Sequence, residues 1–142
     1  MTKNDWTNIY NIVGAAMEVH KVLGRGMSES IYQEALEEEL SIRKIPFEPQ
    51  KELITFYKGI QLKKKYIADI ISNDIVIELK SVSEITPDHR SQLFNYLRIT
   101  NIKTGILINF GEKFLRSERY TYDEETDSFE LLTQDNYKEF IH

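Results

Sequence analysis

The sequence contains no cysteine, which excludes disulfides, thiolate nucleophiles and zinc sites built on cysteine. Any chemistry must therefore come from carboxylates, lysine, histidine, tyrosine or hydroxyl groups. Long hydrophobic runs are also missing, since none approaches the roughly 18 residues needed to span a bilayer. The opening MTKNDWTNIYN lacks the apolar core of a signal peptide. We therefore expect a cytoplasmic protein with no membrane segment.

The chain also lacks a uniform charge of one sign. It has 18 basic and 23 acidic residues, a net charge of −5, but residues 123–142 alone hold seven acids and one lysine. The other 122 residues hold 16 acids and 17 bases. A near-neutral body with local basic clusters, such as the three lysines at 63–65, can meet a phosphate backbone. The charge therefore neither supports nor excludes nucleic acid as a partner.

Length and composition indicate an ordinary globular protein. The 142 residues are 41% hydrophobic and 29% charged, which suits one domain with a single core. Neither a linker nor an internal repeat interrupts the chain. We expect one domain over residues 1–142, with an acidic C-terminal extension at 115–142.

Hydrophobic spacing predicts two helices in the first third of the chain. The first ends at the glycines of LGRG, and the second covers about residues 29–43 with Ser28 or Ser30 as its N-cap. The apolar face of the first contains Ile9, Ile12, Val13, Ala16, Met17, His20 and Leu23, and that of the second contains Ile31, Tyr32, Ala35, Leu36 and Leu40.

The rest of the chain alternates strand and helix patterns. ELITFYKGIQL predicts two strands around a Lys58-Gly59 turn, and the second strand continues through YIADII. A tight turn at Asn73-Asp74 leads into IVIELK, and Thr86 and Pro87 suit the start of a third helix. TGILINF, RYTYD and SFELL are further predicted strands, and Thr133 suits the cap of a short last helix. This order favours an α/β or α+β domain with a mixed sheet.

The predicted turn at Asn73-Asp74 implies a strand register in which the numbers of paired residues add up to 147. Asp69 then lies opposite Glu78, and period-two alternation places Lys80 on the same side of the sheet. The other side is expected to carry Ala68, Ile70, Ile77 and Leu79. Because opposed like charges destabilise a strand pair, something must offset the repulsion between the two carboxylates.

Two interpretations of these charges are open. The carboxylates of Asp69 and Glu78 suit Mg²⁺, which binds one or two carboxylates and keeps several waters. Lys80 could then position a water or stabilise charge on a phosphoryl group. Alternatively, Glu78 forms an ion pair with Lys80 or Lys65 on a solvated strand face. A register slip of one residue would remove the first arrangement.

Gln92 and Tyr96 lie four residues apart in the predicted third helix, so they share one of its faces. By themselves they would be interpreted as a solvent-facing amide and a core tyrosine. Here they follow an Asp…Glu-x-Lys hairpin. The series Asp69, Glu78-x-Lys80 and Gln92-x-x-x-Tyr96 resembles the signature of the PD-(D/E)xK nuclease superfamily, in its branch with a QxxxY helix.

A second motif lies upstream, where Gly26-x-x-Glu29-x-x-Tyr32 resembles the motif that names the GxxExxY protein family, a group placed in that superfamily. The flanking segments GAAMEVHKVLGRG, IADI, IELKSV, QLFNYL and GILINFG are also similar to that family. The resemblance covers about residues 9–111. The tail beyond Phe114 contributes nothing to it.

The resemblance implies a restriction-endonuclease-like core with a mixed sheet flanked by helices. It also implies Mg²⁺ or Mn²⁺ as cofactor and hydrolysis of phosphodiester bonds in nucleic acid, with DNA favoured over RNA. By position it implies metal ligation by Asp69, Glu78, the carbonyl of Leu79 and Glu29, assistance to the attacking water by Lys80, and support or backbone contact by Gln92 and Tyr96.

The third acid is open, because Glu18 and Glu34 compete with Glu29, which the motif favours. A third carboxylate can bind metal or orient water. The proline of the superfamily's name is Ala68 here, a departure that leaves the acid in place. The literal Pro87-Asp88 follows the Glu-x-Lys and is better interpreted as a helix start.

The remaining candidates have structural and functional interpretations. His20 is expected to be a hydrogen-bonded core histidine, and His89 either contacts phosphate or is an exposed residue near a helix cap. Tyr32 is a packing residue or hydrogen-bonds Glu29 or the substrate. YKGIQLKKKY interleaves aromatic and basic residues as nucleic-acid surfaces do, and a solvated edge hairpin explains it equally well.

The sequence is compatible with two functions, which belong to different classes of protein. The first is a Mg²⁺-dependent nuclease, and the second is a binding or assembly module that keeps the nuclease fold without cleaving. A degenerate module would be expected to have lost Asp69, Glu78 or Lys80, and all three are present. Either protein could act as a homodimer or with a protein partner.

Overall fold

The chain folds into three α-helices, six β-strands and a short 3₁₀ helix, and the computed structural model describes all 142 residues. In chain order these are α1 (Lys3–Leu23), α2 (Glu29–Ile42), β1 (Glu48–Tyr57), β2 (Ile60–Ser72), β3 (Ile75–Lys80), α3 (Pro87–Thr100), β4 (Thr104–Asn109), β5 (Arg116–Asp123), β6 (Ser128–Leu132) and the 3₁₀ helix Tyr137–Phe140. The predicted order of helices and strands is thus confirmed.

All six strands lie in one sheet, and their spatial order follows the chain from β1 to β6. Every neighbouring pair is antiparallel except β3 and β4, which are parallel. A parallel pair needs a long crossover connection, and α3 supplies it. The prediction of a mixed sheet flanked by helices is therefore confirmed.

The central strands β3 and β4 are almost fully buried because helices cover both faces of the sheet. Alternate side chains of these strands pack into two separate cores. The core on the side of α1 and α2 includes Ile75, Ile77, Leu79, Ile106 and Ile108, and the core on the side of α3 includes Val76, Leu107, Leu93 and Leu97.

The prediction that Met17 and Ile31 lie on the apolar faces of their helices is wrong. Met17 is 58% exposed and Ile31 is 43% exposed. The buried residues of α1 are Ile9, Ile12, Ala15, Ala16 and Val19, a stripe from which Met17 is offset by about one residue. On α2 the neighbour of Ile31, Tyr32, takes the buried position and begins the stripe that continues to Leu36 and Leu40.

The helix caps agree only in part with the prediction. Thr86 caps α3 and Pro87 begins it, as expected. Ser28 is the N-cap of α2, but its side chain makes no capping hydrogen bond. The last helix begins after Asn136 rather than at Thr133, whose hydroxyl instead accepts the backbone N–H of Asn136 at 3.2 Å.

The C-terminal part of the chain extends the sheet. Residues 115–142 contain β5, β6 and the 3₁₀ helix, and residues 116–121 of β5 pair with the whole of β4. None of the helices combines the length and the apolar character that crossing a membrane requires.

Candidate functional site

Asp69 and Glu78 come together where the ladder between β2 and β3 ends. The predicted register is confirmed for Ser72–Ile75, Ile71–Val76 and Ile70–Ile77, the three pairs nearest the turn. Beyond them the strands are joined through side chains instead. The backbone N–H of Asp69 donates to Oε1 of Glu78 at 2.9 Å, and the N–H of Leu79 donates to Oδ2 of Asp69 at 2.8 Å.

A local change in β2 explains why the regular ladder stops. Ala68 packs in the core on the side of α3, whereas Ile70 packs on the side of α1 and α2. Residues two apart in a regular strand share a face of the sheet. The regular alternation of side chains in β2 is therefore interrupted at Asp69. Opposite this point on β1, Gln50 has a φ of 48°. The prediction that Ala68 shares a face with Ile70 is therefore wrong.

Glu78 is buried and Asp69 is half-buried, and neither carboxylate forms an ion pair with a positive side chain. Glu78 is 2% exposed, and it forms no ion pair with Lys80 or Lys65. Lys65 pairs with the exposed Glu52 instead, at 3.2 Å. The interpretation of Glu78 as half of a solvated surface ion pair is therefore wrong.

Burial and mutual repulsion keep these acids from ionising readily. Burial, followed by the charge of Asp69, raises the pKa of Glu78 to about 9. Burial likewise raises the pKa of Asp69, although the Leu79 amide and Lys80 oppose that shift. When Glu78 holds a proton, the two carboxyl groups are near enough to hydrogen-bond. A cation between them would remove this penalty.

Lys80, Gln92 and Tyr96 form a hydrogen-bonded chain from β3 to α3. The Lys80 Nζ donates to Oε1 of Gln92 at 2.7 Å, and Nε2 of Gln92 donates to the Tyr96 hydroxyl at 3.1 Å. Tyr96 is buried, and burial together with the charge of Glu78 raises its pKa. Tyr96 is thus part of the core, and Gln92 connects it to Lys80.

A cleft of about 410 Å³ opens between α2 and Asp69. Its lining residues are Glu29, Ser30, Gln33, Glu34, Glu37, Gln50, Asp69 and Leu79. The structure therefore brings Glu29 and Glu34 to the same cleft as Asp69, while Glu18 does not line it. Glu29 is exposed and forms no ion pair.

Gln33 is a site residue that the sequence interpretation missed. Its Nε2 donates to the backbone carbonyl of Asp69 and to Oε2 of Glu37, at 2.9 Å in each case. Gln33 and Glu37 follow Glu29 at intervals of four residues, so the three share one face of α2. That spacing is the signal that could have found them.

The loop before Glu29 is held in place by Tyr32. The Tyr32 hydroxyl donates to the carbonyl of Gly24 at 2.5 Å and accepts the N–H of Met27 at 3.2 Å. Ser81, just after β3, donates to the carbonyl of Met27 at 2.7 Å. Gly26 adopts a φ of 103°, which favours glycine. In Gly-x-x-Glu-x-x-Tyr, the glycine and tyrosine thus shape the loop that positions the glutamate, and Tyr32 does not bond Glu29.

Asn109 and Gly111 fix the loop that follows Lys80. The buried Asn109 accepts the N–H of Val82 through Oδ1 at 3.0 Å and donates to the Val82 carbonyl through Nδ2 at 2.9 Å. A Cβ at Gly111 would lie 2.1 Å from the Val82 carbonyl oxygen. Only glycine permits this close approach of the two backbones.

An ion pair between the half-buried Arg90 and the buried Glu118 fixes the position of α3. Glu118 on β5 accepts two hydrogen bonds from Arg90, at 2.8 and 3.1 Å, and further ones from Tyr120 at 2.5 Å and Arg116 at 3.2 Å. The hydrogen bond from Arg90 is the largest of the contacts that lower the pKa of Glu118 to about 2. This network anchors the helix that carries Gln92 to the sheet.

The histidines have structural partners. Nε2 of His20 donates to the Glu112 carbonyl at 2.9 Å, in agreement with a hydrogen-bonded core histidine. Nδ1 of His89 accepts the N–H of Thr86 at 3.0 Å and completes the cap of α3. His89 also lines a second cleft of about 350 Å³, together with Tyr66, Asp88, Ser91, Gln92, Asn95 and Tyr96.

The donor set at Asp69 and Glu78 fits a hard divalent cation. No three His, Asp or Glu side chains lie close enough together to share a metal ion. Mg²⁺, however, is often held by one or two carboxylates with water completing its shell. One oxygen of each carboxylate receives no hydrogen bond, and Leu79 lines the same cleft as Asp69. The oxygen donors suit Mg²⁺ or Mn²⁺ better than a softer metal.

The mixed sheet, the Asp69–Glu78 pair and the neighbouring Lys80 together define a restriction-endonuclease-like protein. The family model of the PD-(D/E)XK nuclease superfamily matches residues 6–120. The chain therefore belongs to the PD-(D/E)XK nuclease superfamily, and the resemblance to that superfamily is confirmed.

Among solved structures, the crystal structure of SSO0001 is similar, with 27% sequence identity and a TM-score of 0.53. The alignment covers 68% of this chain and 52% of that one, so this chain spans about half the length of that protein. A comparison with curated proteins finds no match.

Proposed function

We propose that this protein is a Mg²⁺-dependent nuclease that hydrolyses phosphodiester bonds in nucleic acid. The observation that carries the proposal is the pairing of the buried Glu78 with the half-buried Asp69, which forms no ion pair and lies next to Lys80. Membership of the superfamily supports the same reaction. We also propose that the chain belongs to the GxxExxY group, since Gly26, Glu29 and Tyr32 stand at its motif positions.

Asp69, Glu78 and the carbonyl of Leu79 would hold Mg²⁺, or Mn²⁺ in its place. When bound, the cation supplies Lewis-acid polarisation of a phosphate oxygen and lowers the pKa of a coordinated water. Glu29 lies across the same cleft, where its exposed carboxylate would orient water toward the pair. Gln33 holds the Asp69 backbone, so it is a positioning residue.

Lys80 would serve the attacking water. Its ammonium carries three donors, and one of them is bonded to Gln92. The other two can hold a water or the charge that develops on the phosphoryl group. Because Tyr96 in turn holds Gln92, the lysine is held in one orientation before substrate arrives.

We propose DNA rather than RNA as the substrate and the cytoplasm as the location. The whole chain would act as one domain, with its acidic C-terminal residues 115–142 completing the sheet. The protein would act as a homodimer or together with a protein partner.

A second candidate function is a nuclease-fold module that binds without cleaving. The observation that favours it is the absence of three acidic side chains close enough to share one metal ion. In this alternative the carboxylate pair has a structural role, and a partner supplies any chemistry. Fold alone does not separate the two candidates.

The test is cleavage of plasmid and of labelled single- and double-stranded oligonucleotides, with Mg²⁺, Mn²⁺ or EDTA. Wild type is compared with Glu78→Gln and Lys80→Ala, and with Lys103→Ala as a matched control on a lysine outside the site. We expect metal-dependent cleavage by wild type and the control, and a loss of at least about 100-fold in both site variants.

If wild type takes up Mn²⁺ in calorimetry but cleaves nothing, the metal site is real and its substrate or activating partner is missing. Absence of both cleavage and Mn²⁺ uptake supports the non-catalytic module. Cleavage that survives in Glu78→Gln would contradict the proposed site. Cleavage that persists in EDTA would contradict the proposed cofactor.

A further inference from the structure

The hairpin formed by β1 and β2 extends beyond the sheet. β2 pairs with β3 only through residues 70–72, so residues 60–68 pair with β1 alone. All eight residues from Ile60 to Ile67 are exposed. We call residues 54–67, ITFYKGIQLKKKYI, the arm.

The arm concentrates the positive charge of the molecule. It carries Lys58 and the three lysines at 63–65 and no acid, a charge of +4. The remaining 128 residues carry 14 basic and 23 acidic residues, a charge of −9. Apart from Lys65, which pairs with Glu52, the arm lysines form no ion pair. Their charge is available to a negatively charged partner.

The arm also exposes aromatic rings beside these lysines. Tyr57 is 60% exposed and Phe56 is 62% exposed. The Lys58 Nζ lies 5.5 Å from the centre of the Tyr57 ring. Edge protection explains lysines on an open strand, but it does not explain exposed rings, because apolar groups on an edge favour aggregation.

The base of the arm leads to the candidate active site. The ring of Tyr66 lies 5.9 Å from that of Tyr96, and both line the cleft that also contains Gln92. Asp69 follows Tyr66 by three residues on the same strand. Cross-strand pairing of Leu53 with Tyr66 places the buried Leu53 on the same face, in the core packed on α3. The arm is therefore anchored at the site end and free at its tip.

We propose that the arm binds a single-stranded segment of nucleic acid and leads its backbone to the cleft at Tyr66, Gln92 and Tyr96. This inference rests on the proposed nuclease function. Lysines attract the phosphates, and bases stack on exposed aromatic rings, as in other proteins that bind single strands. Bases in a duplex are already stacked on one another, so the Phe56 and Tyr57 rings favour an unpaired strand.

The experiment measures binding in EDTA, where no metal-dependent cleavage takes place. Fluorescence anisotropy of labelled single- and double-stranded DNA and RNA is recorded over a range of salt concentrations. The main variant is Lys58→Gln, Lys63→Gln and Lys64→Gln combined. The control is Lys3→Gln, Lys44→Gln and Lys138→Gln combined, since these three lysines are also exposed and without ion pairs, and the change in net charge is the same.

Wild type and the control should prefer single strands. The arm variant should bind more weakly, with a logarithmic salt slope reduced in magnitude by about 2, as expected when three phosphate contacts on a single strand are lost. Phe56→Leu with Tyr57→Leu should weaken single-strand binding about 5-fold or more and leave the salt slope unchanged. All variants should keep the wild-type melting temperature, because the changed residues are exposed.

The inference is overturned if the arm variant binds as wild type does, if the control loses as much affinity, or if duplex is preferred. It is also overturned if wild type binds no nucleic acid, or if the exposed rings of the arm instead mediate self-association that Phe56→Leu with Tyr57→Leu abolishes. Cleavage in Mg²⁺ is measured separately on the same proteins. A nuclease whose arm variant binds and cuts normally would leave the proposed function intact while refuting the role of the arm.

Discussion

The backbone amide of Asp69 donates to the carboxylate of Glu78 at 2.9 Å, so the two acids of the site are joined through a main-chain group rather than through a regular strand pair. This contact holds the Glu78 side chain against Asp69 although both groups are acidic. The structure thus keeps two carboxylates together at a cost in stability that a cation would relieve.

Glu78→Gln should stabilise the metal-free protein at pH 8. The pKa of Glu78 is raised from 4.5 to about 9 in the folded state, so the folded protein keeps a proton that the unfolded chain releases. Stability therefore falls as pH rises from about 4.5 to about 9, and the variant should lose this dependence. We expect a gain of about 1 kcal/mol or more, or about 4 °C in Tm.

Urea unfolding in EDTA between pH 5 and 9 measures this effect. Glu84→Gln, at an exposed position, serves as the control. Mg²⁺ should stabilise wild type at pH 8 and have much less effect on Glu78→Gln. Identical pH profiles for wild type and Glu78→Gln would show that Glu78 does not carry this penalty.

Gln92→Leu should reduce cleavage while leaving the fold intact. The substitution removes the acceptor that orients Lys80, and the loss of such a supporting partner commonly costs about 10- to 100-fold in activity. Steady-state kinetics should show the loss mainly in kcat, since the lysine serves the attacking water. Ser83→Ala, at an exposed position that lines neither cleft, should cleave normally. An unchanged kcat would show that Gln92 does not orient Lys80 for catalysis.

Glu29→Gln should weaken cleavage and Mg²⁺ binding, by about 10-fold, because its carboxylate lines the cleft with Asp69. Glu18→Gln should have no effect, because Glu18 lies outside that cleft. Glu34→Gln tests the other glutamate that competes for the role. Titration calorimetry with Mn²⁺, together with cleavage rates, compares the three variants. A larger loss in Glu18→Gln or Glu34→Gln would reassign the third acid.

Glu118→Gln should destabilise the fold by about 2 kcal/mol at pH 7, because it removes the negative charge beside Arg90 and replaces one of the two acceptor oxygens with an NH₂ donor. The pKa of Glu118 is lowered from 4.5 to about 2, so its contribution is present above about pH 4.5 and is lost as pH falls toward 2. Thermal unfolding from pH 2 to 7 should therefore show a shallower acid limb in the variant. Parallel curves for the two proteins would contradict this account.

Gly111→Ala should destabilise the protein by about 2 kcal/mol or more, because the added methyl group meets the Val82 carbonyl at 2.1 Å. Gly14→Ala is the matched control. Its added methyl group lies 3.4 Å from the flexible Arg43 side chain, and alanine is favoured over glycine inside a helix. Chemical unfolding should therefore show opposite signs for the two variants, and an undiminished stability of Gly111→Ala would refute the close-approach argument.

Much of the fold could be predicted because its signals are local. The turn at Asn73-Asp74 and the period-two pattern on either side correctly predicted the register of three strand pairs. The prediction for Ala68 is wrong because it assumes regular alternation along the strand, and this alternation is interrupted in β2 at Asp69. Met17 and Ile31 fit the apolar spacing of their helices and are nevertheless exposed. The hydrophobic character of a residue does not show which side of its helix is covered by other elements of the fold.

The sequence by itself determined the local neighbours in the site, because backbone geometry within a hairpin, a strand or a helix sets which side chains lie together. These neighbours are Asp69 with Glu78 across the turn, Glu78 with Lys80 on β3, and Gln92 with Tyr96 on α3. Only the tertiary structure decided that Gln33 reaches the Asp69 backbone, since this contact joins residues 36 positions apart through the packing of α2 on the sheet. It also decided that Glu78 is buried, because burial depends on which elements cover a strand and not on the strand's own residues.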